Sequence, residues 1–295
     1  MSADGRERSS LLGTVADWLS GREVGRKSDP NRSLRPKRVA AIYDIHGNLP
    51  ALEAVLKDLK SADVDLIVVG GDILPGPMPR ESLACLFNAG IPFKCIRGNG
   101  EREALALAAG ASSTLPPETQ AAVKWSGEQL SEEEGLSIHQ WPPTRKVDIE
   151  GLGTVLFCHA TPRSDTEIFT RQTPEANLLS VFQGVGAPIV VCGHTHMQFD
   201  RTIGGTRVVN AGSVGMPFGA TGAYWLLLGP GVELRKTSYD LDGAAVRIRA
   251  TRYPGAADFA KRHIMSAPGE EETLKNLSAV EIKPSTPAVV TDANA

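Results

Sequence analysis

Val39-Ala40-Ala41-Ile42-Tyr43-Asp44-Ile45-His46-Gly47-Asn48-Leu49-Pro50 decides the fold of this chain. Residues 39 to 43 are a run rich in apolar side chains, short enough for a buried strand. Asn48 is placed to cap a helix, Pro50 suits its first turn, and Leu49, Leu52, Val55, Leu56 and Leu59 recur as one apolar stripe. The reading is strand, polar turn, helix, with Asp44 and His46 in the turn beyond the carboxyl end of the strand.

The same pattern recurs along the chain. Leu66 to Val69, Phe93 to Ile96, Val155 to Cys158 and Ile189 to Cys192 are further short apolar runs, which predicts five core strands in an α/β layered fold. Gly204-Gly205 between Asp200-Arg201-Thr202 and Arg207-Val208-Val209 reads as a hairpin turn. Tyr224 to Leu228 and Val232 to Lys236 read as another antiparallel pair, so a second sheet is expected. No internal repeat of the length that builds a solenoid is present.

Composition bounds the function. Over 295 residues, 41% hydrophobic and 22% charged exclude a wholly disordered chain, a collagen-like repeat and a coiled coil. With 31 Lys+Arg against 34 Asp+Glu the net charge of -3 gives no global basic surface for a nucleic-acid backbone. Cys85, Cys95, Cys158 and Cys192 show no CxxC spacing and three of them lie in apolar runs, which predicts buried free thiols and a cytoplasmic setting. No window approaches the roughly 18 apolar residues of a spanning helix, so no membrane partner is expected. Residues 1–37, with eight Lys/Arg against five acids, read as a basic flexible N-terminal arm with a short amphipathic helix near residues 11–19. Residues 38–265 read as the folded domain and residues 266–295 as a disordered tail.

Each core run ends in metal-competent residues. The first reaches Asp44 and His46, the second Asp72, the third Asn99, the fourth His159, and the fifth His194 and His196. Ligands in open α/β sheets bind beyond the carboxyl ends of strands, so these seven candidates can converge on one pocket. Hard carboxylate and amide oxygens mixed with imidazoles suit Mn, Fe, Zn, Ni or Co, with Mn2+ preferred, over calcium or a thiolate-bound zinc. Seven donors exceed one tetrahedral ion and match two ions sharing a carboxylate, the arrangement that clamps the attacking and leaving oxygens of a displacement. His139 and His263 read as surface or core histidines.

The ordered blocks Asp44-x-His46, Gly71-Asp72, Gly98-Asn99, His159 and Gly193-His194-Thr195-His196 resemble the calcineurin-like metallophosphoesterase superfamily over about residues 38 to 219. Asp44-Ile45-His46-Gly47-Asn48 with Asn210-Ala211-Gly212-Ser213-Val214-Gly215 looks most like its small bacterial YfcE-like phosphodiesterase branch. The resemblance implies a two-sheet αββα sandwich with the active site at the carboxyl ends of the strands. It also implies that Asp44, His46 and His196 hold one metal, that Asn99, His159 and His194 hold the other, and that Asp72 bridges. The implied reaction is phosphodiester or phosphomonoester hydrolysis by a metal-bridging hydroxide, with Asn48 orienting a ligand or the substrate.

One departure stands out. Much of that superfamily has a histidine after the Gly-Asn, whereas this chain has Gly100, so a general acid worth ~10²–10⁴ in rate is missing. Arg97, Arg102 and Arg163 are candidates for gripping phosphate oxygens, with Gly212 and Ser213 offering backbone N–H groups and a hydroxyl. The expected partner is a small phosphate ester, with a nucleotide in that class. Nucleic acid is not expected and a homo-oligomer is left open. The competing function is a binding scaffold on the same fold, for which Gly100 is the only sign.

Overall fold

The computed structural model describes residues 35–283. The amphipathic stretch near 11–19, and most of the arm, lie outside them. Pro36 and Lys37 are already tied to the body, through Glu150 N to Pro36 O at 2.9 Å and Lys37 N to Asp65 Oδ2 at 2.9 Å.

β1 (Val39–Ile42), β2 (Leu66–Val69) and β3 (Phe93–Cys95) are parallel neighbours, and β9 (Ala223–Leu228) and β10 (Val232–Thr237) extend that sheet antiparallel from β1. The second sheet runs β4 (Thr144–Ile149), β5 (Gly153–Cys158), β6 (Ile189–Cys192), β8 (Thr206–Asn210), β7 (Phe199–Ile203). The five expected core runs are thus divided between two sheets, three in the first and two in the second. The Gly204-Gly205 hairpin belongs to the second sheet, and the hairpin of β9 and β10 completes the first. Sequence reading missed β4, whose residues Thr-Arg-Lys-Val-Asp-Ile carry too few apolar side chains for a core run, as suits an edge strand.

Strand alternation builds the layers. Along β1 and just beyond it, Val39, Ala41 and Tyr43 face inward and pack with Val155, Phe157, Val191 and Val209 of the second sheet. Ala40 and Ile42 face outward onto Leu52, Val55, Leu56 and Leu59 of α1 (Leu49–Ser61). Asn48 caps that helix, its Oδ1 accepting from Ala51 N at 3.2 Å. On the far side Leu156, Val190 and Val208 meet Leu178, Val181 and Phe182 of α6 (Glu175–Phe182). The result is an αββα sandwich. The remaining helices are α2 (Pro79–Phe87), α3 (Asn99–Ala108), α4 (Pro117–Glu128), α5 (Glu132–His139), α7 (Leu241–Arg249), α8 (Ala256–Phe259), followed by a π-helical turn (Ala260–Met265), and α9 (Glu270–Val280). No helix among the described residues is long and apolar enough to cross a membrane.

The disordered tail expected from residue 266 is corrected as far as residue 283. Three glutamates in the first turn of α9 suit the positive end of the helix dipole, and Leu274 is buried. Beyond it Ile282 N donates to Ile168 O at 2.9 Å and Asn177 Nδ2 to Ile282 O at 3.0 Å. One buried leucine and a few backbone bonds leave almost no hydrophobic periodicity to read.

Tyr43 is the wedge where the two sheets meet beneath the strand ends. Its ring lies so close to Gly70 and Gly193 that an added Cβ would stand 1.9 Å and 2.4 Å from ring atoms, and its hydroxyl donates to Val191 O at 3.1 Å. Gly70→Ala is therefore expected to lose about 1–3 kcal/mol through overpacking. Thermal unfolding followed by circular dichroism checks this, and an unchanged melting temperature would refute the wedge.

Candidate metal centre

All the candidate ligands lie just past strand ends. Asp44 and His46 follow β1, Asp72 follows β2, Asn99 follows β3, His159 follows β5, and His194 and His196 follow β6. Five of them have left-handed backbones: Asp44 (φ 54°), His46 (47°), Asp72 (55°), His194 (67°) and His196 (58°). Among the described residues Asp63 is the only other non-glycine with positive φ. Such conformations cost about 1–3 kcal/mol each and persist where surrounding bonds impose them. Here Asp44 N donates to Gly71 O at 3.1 Å, His46 N to Asp72 O at 2.9 Å, and Gly47 N to Ile73 O at 2.8 Å. His194 N donates to Asp44 Oδ2 at 2.9 Å, binding the second sheet's loop to the first's.

The side chains form two trios, Asp44 with His46 and His196, and Asp72 with His159 and His194. Within the first, His46 Nε2 and His196 Nε2 are 3.2 Å apart, and Asp44 Oδ1 is 3.5 Å from His196 Nε2. In the second, Asp72 Oδ2 is 3.4 Å from His159 Nε2 and also 3.8 Å from His46 Nε2, so one carboxylate oxygen faces both trios. Asn99 Oδ1 lies 3.1 Å from His159 Nε2. The Nδ1 atoms of His46, His159 and His196 are held by the carbonyls of Pro75 (3.1 Å), Gly70 (2.9 Å) and Met216 (2.7 Å). Those bonds orient each ring with Nε2 facing inward, the outer support that metal-ligating imidazoles require. Asp44 Oδ1 is buried without a hydrogen-bond partner. An orphaned carboxylate oxygen beside converging imidazole nitrogens fits divalent cations.

Electrostatics tell the same story. Burial opposes charging His159, yet the Asp72 and Asp44 carboxylates overcome it and raise its pKa to about 10. Burial likewise opposes charging His196, and Asp44 raises it. Burial and the charge on His196 push His46 down, while burial and His159 push His194 down to about 4. Burial would raise Asp72 and Asp44, but His159 and His196 respectively hold them below the ordinary carboxylate range. Each carboxylate therefore favours a proton on the imidazole beside it, and a cation would compete with that proton.

Glu101 was not singled out from sequence. Fully buried, its Oε1 accepts from Ile73 N (2.6 Å) and Leu74 N (3.1 Å), and its Oε2 from Asp72 N (2.9 Å) and Gly98 N (2.9 Å). The available signal is its position three residues after Gly98, where a glutamate can reach back to the start of a helix. Asn210, part of the motif at residues 210–215, supports the site in a similar way. Its Nδ2 donates to Gly193 O at 2.7 Å and Thr195 Oγ1 at 3.1 Å, shaping the loop that presents His194 and His196.

The expected substrate contacts fare unevenly. Asn48, completely buried, caps α1 and donates to Gly215 O (3.0 Å) and Tyr239 Oη (3.2 Å), so it positions loops. Gly212 N is bonded to Asn210 Oδ1 at 2.8 Å, and Ser213 Oγ donates to Asp44 O at 2.8 Å while accepting from Met216 N at 2.7 Å. The Gly212 N–H and the Ser213 hydroxyl are thus already engaged in bracing the ligand loops. Arg97 Nη1 donates to His139 O at 2.9 Å and Arg163 pairs with Glu167, which engages both guanidinium groups elsewhere. Arg102 forms a bidentate pair with Asp165 at 2.8 and 3.0 Å and feels the Asp72 charge. At residue 100 a Cβ would stand 2.1 Å from Leu74 O, so this backbone has no room for a side chain there.

Two outcomes are expected. Metal uptake at pH 7 releases protons and weakens as pH falls through the range in which the ligand imidazoles charge. Titration calorimetry in buffers of different ionisation enthalpy checks this, and buffer-independent heats would contradict the charge assignment. Glu101→Gln, which leaves one acceptor oxygen for the four N–H groups, is expected to lose about 2–4 kcal/mol in chemical denaturation.

The pattern defining the calcineurin-like phosphoesterase superfamily domain matches residues 38–228. The uncharacterized protein MJ0912 of Methanocaldococcus jannaschii is 25% identical over 236 residues, 73% of this chain and 93% of that protein. The crystal structure of hypothetical protein PH1004 from Pyrococcus horikoshii superposes with TM-score 0.66 at 22% identity, covering 78% of this chain and 99% of the other. That of a metallophosphoesterase from Sphaerobacter thermophilus gives TM-score 0.61 at 24% identity over 78% and 100%. With the sandwich and the strand-end donors already in place, the match over residues 38–228 shows that this chain belongs to the calcineurin-like phosphoesterase superfamily.

Proposed function

We propose that the protein is a dinuclear-metal phosphoesterase acting on a small phosphodiester or phosphomonoester. The observation that supports this most is Asp72, whose Oδ2 lies between the two trios at 3.4 Å from His159 Nε2 and 3.8 Å from His46 Nε2. Asp44, His46 and His196 would hold one cation, and His159, His194 and Asn99 the other, with Asp72 common to both. Bound divalent cations, with Mn2+ our preference and Fe, Zn, Ni or Co alternatives, would supply an acidified water and neutralise charge on the phosphoryl oxygens.

The chain's own groups prepare that chemistry. The carbonyls of Gly70, Pro75 and Met216 hold the Nδ1 atoms of His159, His46 and His196, so that each Nε2 faces the centre. Gly100 N donates to Asp72 Oδ1 at 2.7 Å, leaving Oδ2 as the shared atom. Arg102 is the guanidinium best placed to meet an incoming phosphate. Its pair with Asp165 is partly exposed and worth about 0–1 kcal/mol, so a dianion can displace it.

The test is hydrolysis of bis(4-nitrophenyl) phosphate and 4-nitrophenyl phosphate with Mn2+ or EDTA. Metal-dependent turnover is expected, falling more than about 10²-fold in Asp72→Asn, since even outer partners of metal ligands are worth 10–100-fold. Arg102→Ala is expected to raise KM about tenfold with a smaller effect on kcat. Absence of turnover with every divalent metal would move the reading to a binding scaffold.

A further inference from the structure

His263 is the imidazole that the sandwich leaves unexplained. Of the six histidines in the chain, four line the two trios and His139 is exposed at the end of α5. His263 sits in the π-helical turn Ala260–Met265, a rare local geometry that recurs at functional sites. On either side of it Ala260 and Ile264 are fully buried, packed with Ala244, Ile248 and Phe259, and Met216 joins that cluster. Met216 is the residue whose carbonyl holds His196 Nδ1. Two residues on, Phe218 stacks on the His196 ring at 5.2 Å, and Gly219 N donates to Pro268 O at 2.9 Å. The segment bearing His263 is thus fastened, before and after the histidine, to the loop that fixes His196.

The ring leans on Phe259 with centroids 5.2 Å apart, and its Nδ1 is buried without a partner. Burial, and then the charges of His196 and His46, push its pKa down to about 4, so it is neutral at ordinary pH with one N–H to give. A buried donor or acceptor left unpaired is rare in a native fold and calls for a ligand or water.

We propose that His263 contacts the substrate, its imidazole hydrogen-bonding an oxygen of the phosphate ester bound beside His46 and His196. This rests on the phosphoesterase reading above. It places a substrate contact on a C-terminal segment that lies outside residues 38–228, and it answers how a site with no side chain at residue 100 can engage its ester.

Inorganic phosphate added to the Zn2+-loaded full-length protein is the probe. The imidazole 15N resonances are recorded, with those of His263 assigned by their loss in His263→Phe, which keeps an aromatic ring against Phe259. A saturable phosphate-dependent shift at His263 is expected, with the phosphate Kd about tenfold weaker in His263→Phe and partly restored in His263→Asn, which keeps an N–H donor. Unchanged melting temperature and zinc content in either variant separate contact from folding. An unmoved His263 resonance while phosphate still binds, or an unaltered Kd in both variants, overturns the contact and leaves the phosphoesterase reading intact. No phosphate-dependent change at any histidine, together with no ester turnover, overturns both.

Discussion

The structure depends on one buried carboxylate binding four backbone N–H groups. Glu101 gathers Asp72, Ile73, Leu74 and Gly98, so the loops after β2 and β3 cannot move independently. Burying a carboxylate is costly unless its oxygens are satisfied, and here every bond goes to main chain. The loop that presents Asp72 is therefore set by α3, with Gly100 N holding the other carboxylate oxygen. The position of Asp72 between the two trios is a property of two strand ends joined through Glu101, ahead of any ion.

Left-handed backbone at five ligand positions follows from the same demand. A strand continued past its end would keep the chain in the sheet, whereas positive φ at Asp44, His46, Asp72, His194 and His196 turns it away at once into loops. Hydrogen bonds to the carbonyls of Gly71, Asp72 and Ile73 and to the Asp44 carboxylate hold those turns.

The donors were legible because each ends a short apolar run, and the end of a buried parallel strand is where an α/β fold exposes chemistry. Their supporting residues were not legible for equally physical reasons. Glu101 reads as an ordinary helical glutamate until Asp72 is brought over it. Ser213 and Gly212 look like a phosphate cradle in sequence, but the Ser213 hydroxyl and the Gly212 N–H are already used by Asp44, Met216 and Asn210. Three arginines near the motif blocks suggested three anion ligands, and sequence could not show that Glu167 and the His139 carbonyl engage two of them. His263 reads as a core or surface residue, and the structure packs it, partly buried, against Phe259 in the π-helical turn.

Each trio draws from both sheets: Asp44 and His46 with His196, and Asp72 with His159 and His194. A cation held by either trio would be a rivet through the sandwich, joining two layers that otherwise meet through apolar packing, the wedge of Tyr43 and loop hydrogen bonds such as His194 N to Asp44 Oδ2. Occupancy would then be part of the fold's cohesion, since a ligand that binds only the native state adds about 2.7 kcal/mol at a hundred times its Kd. Metal scarcity would act on this protein twice, idling its chemistry and loosening the seam that builds the site.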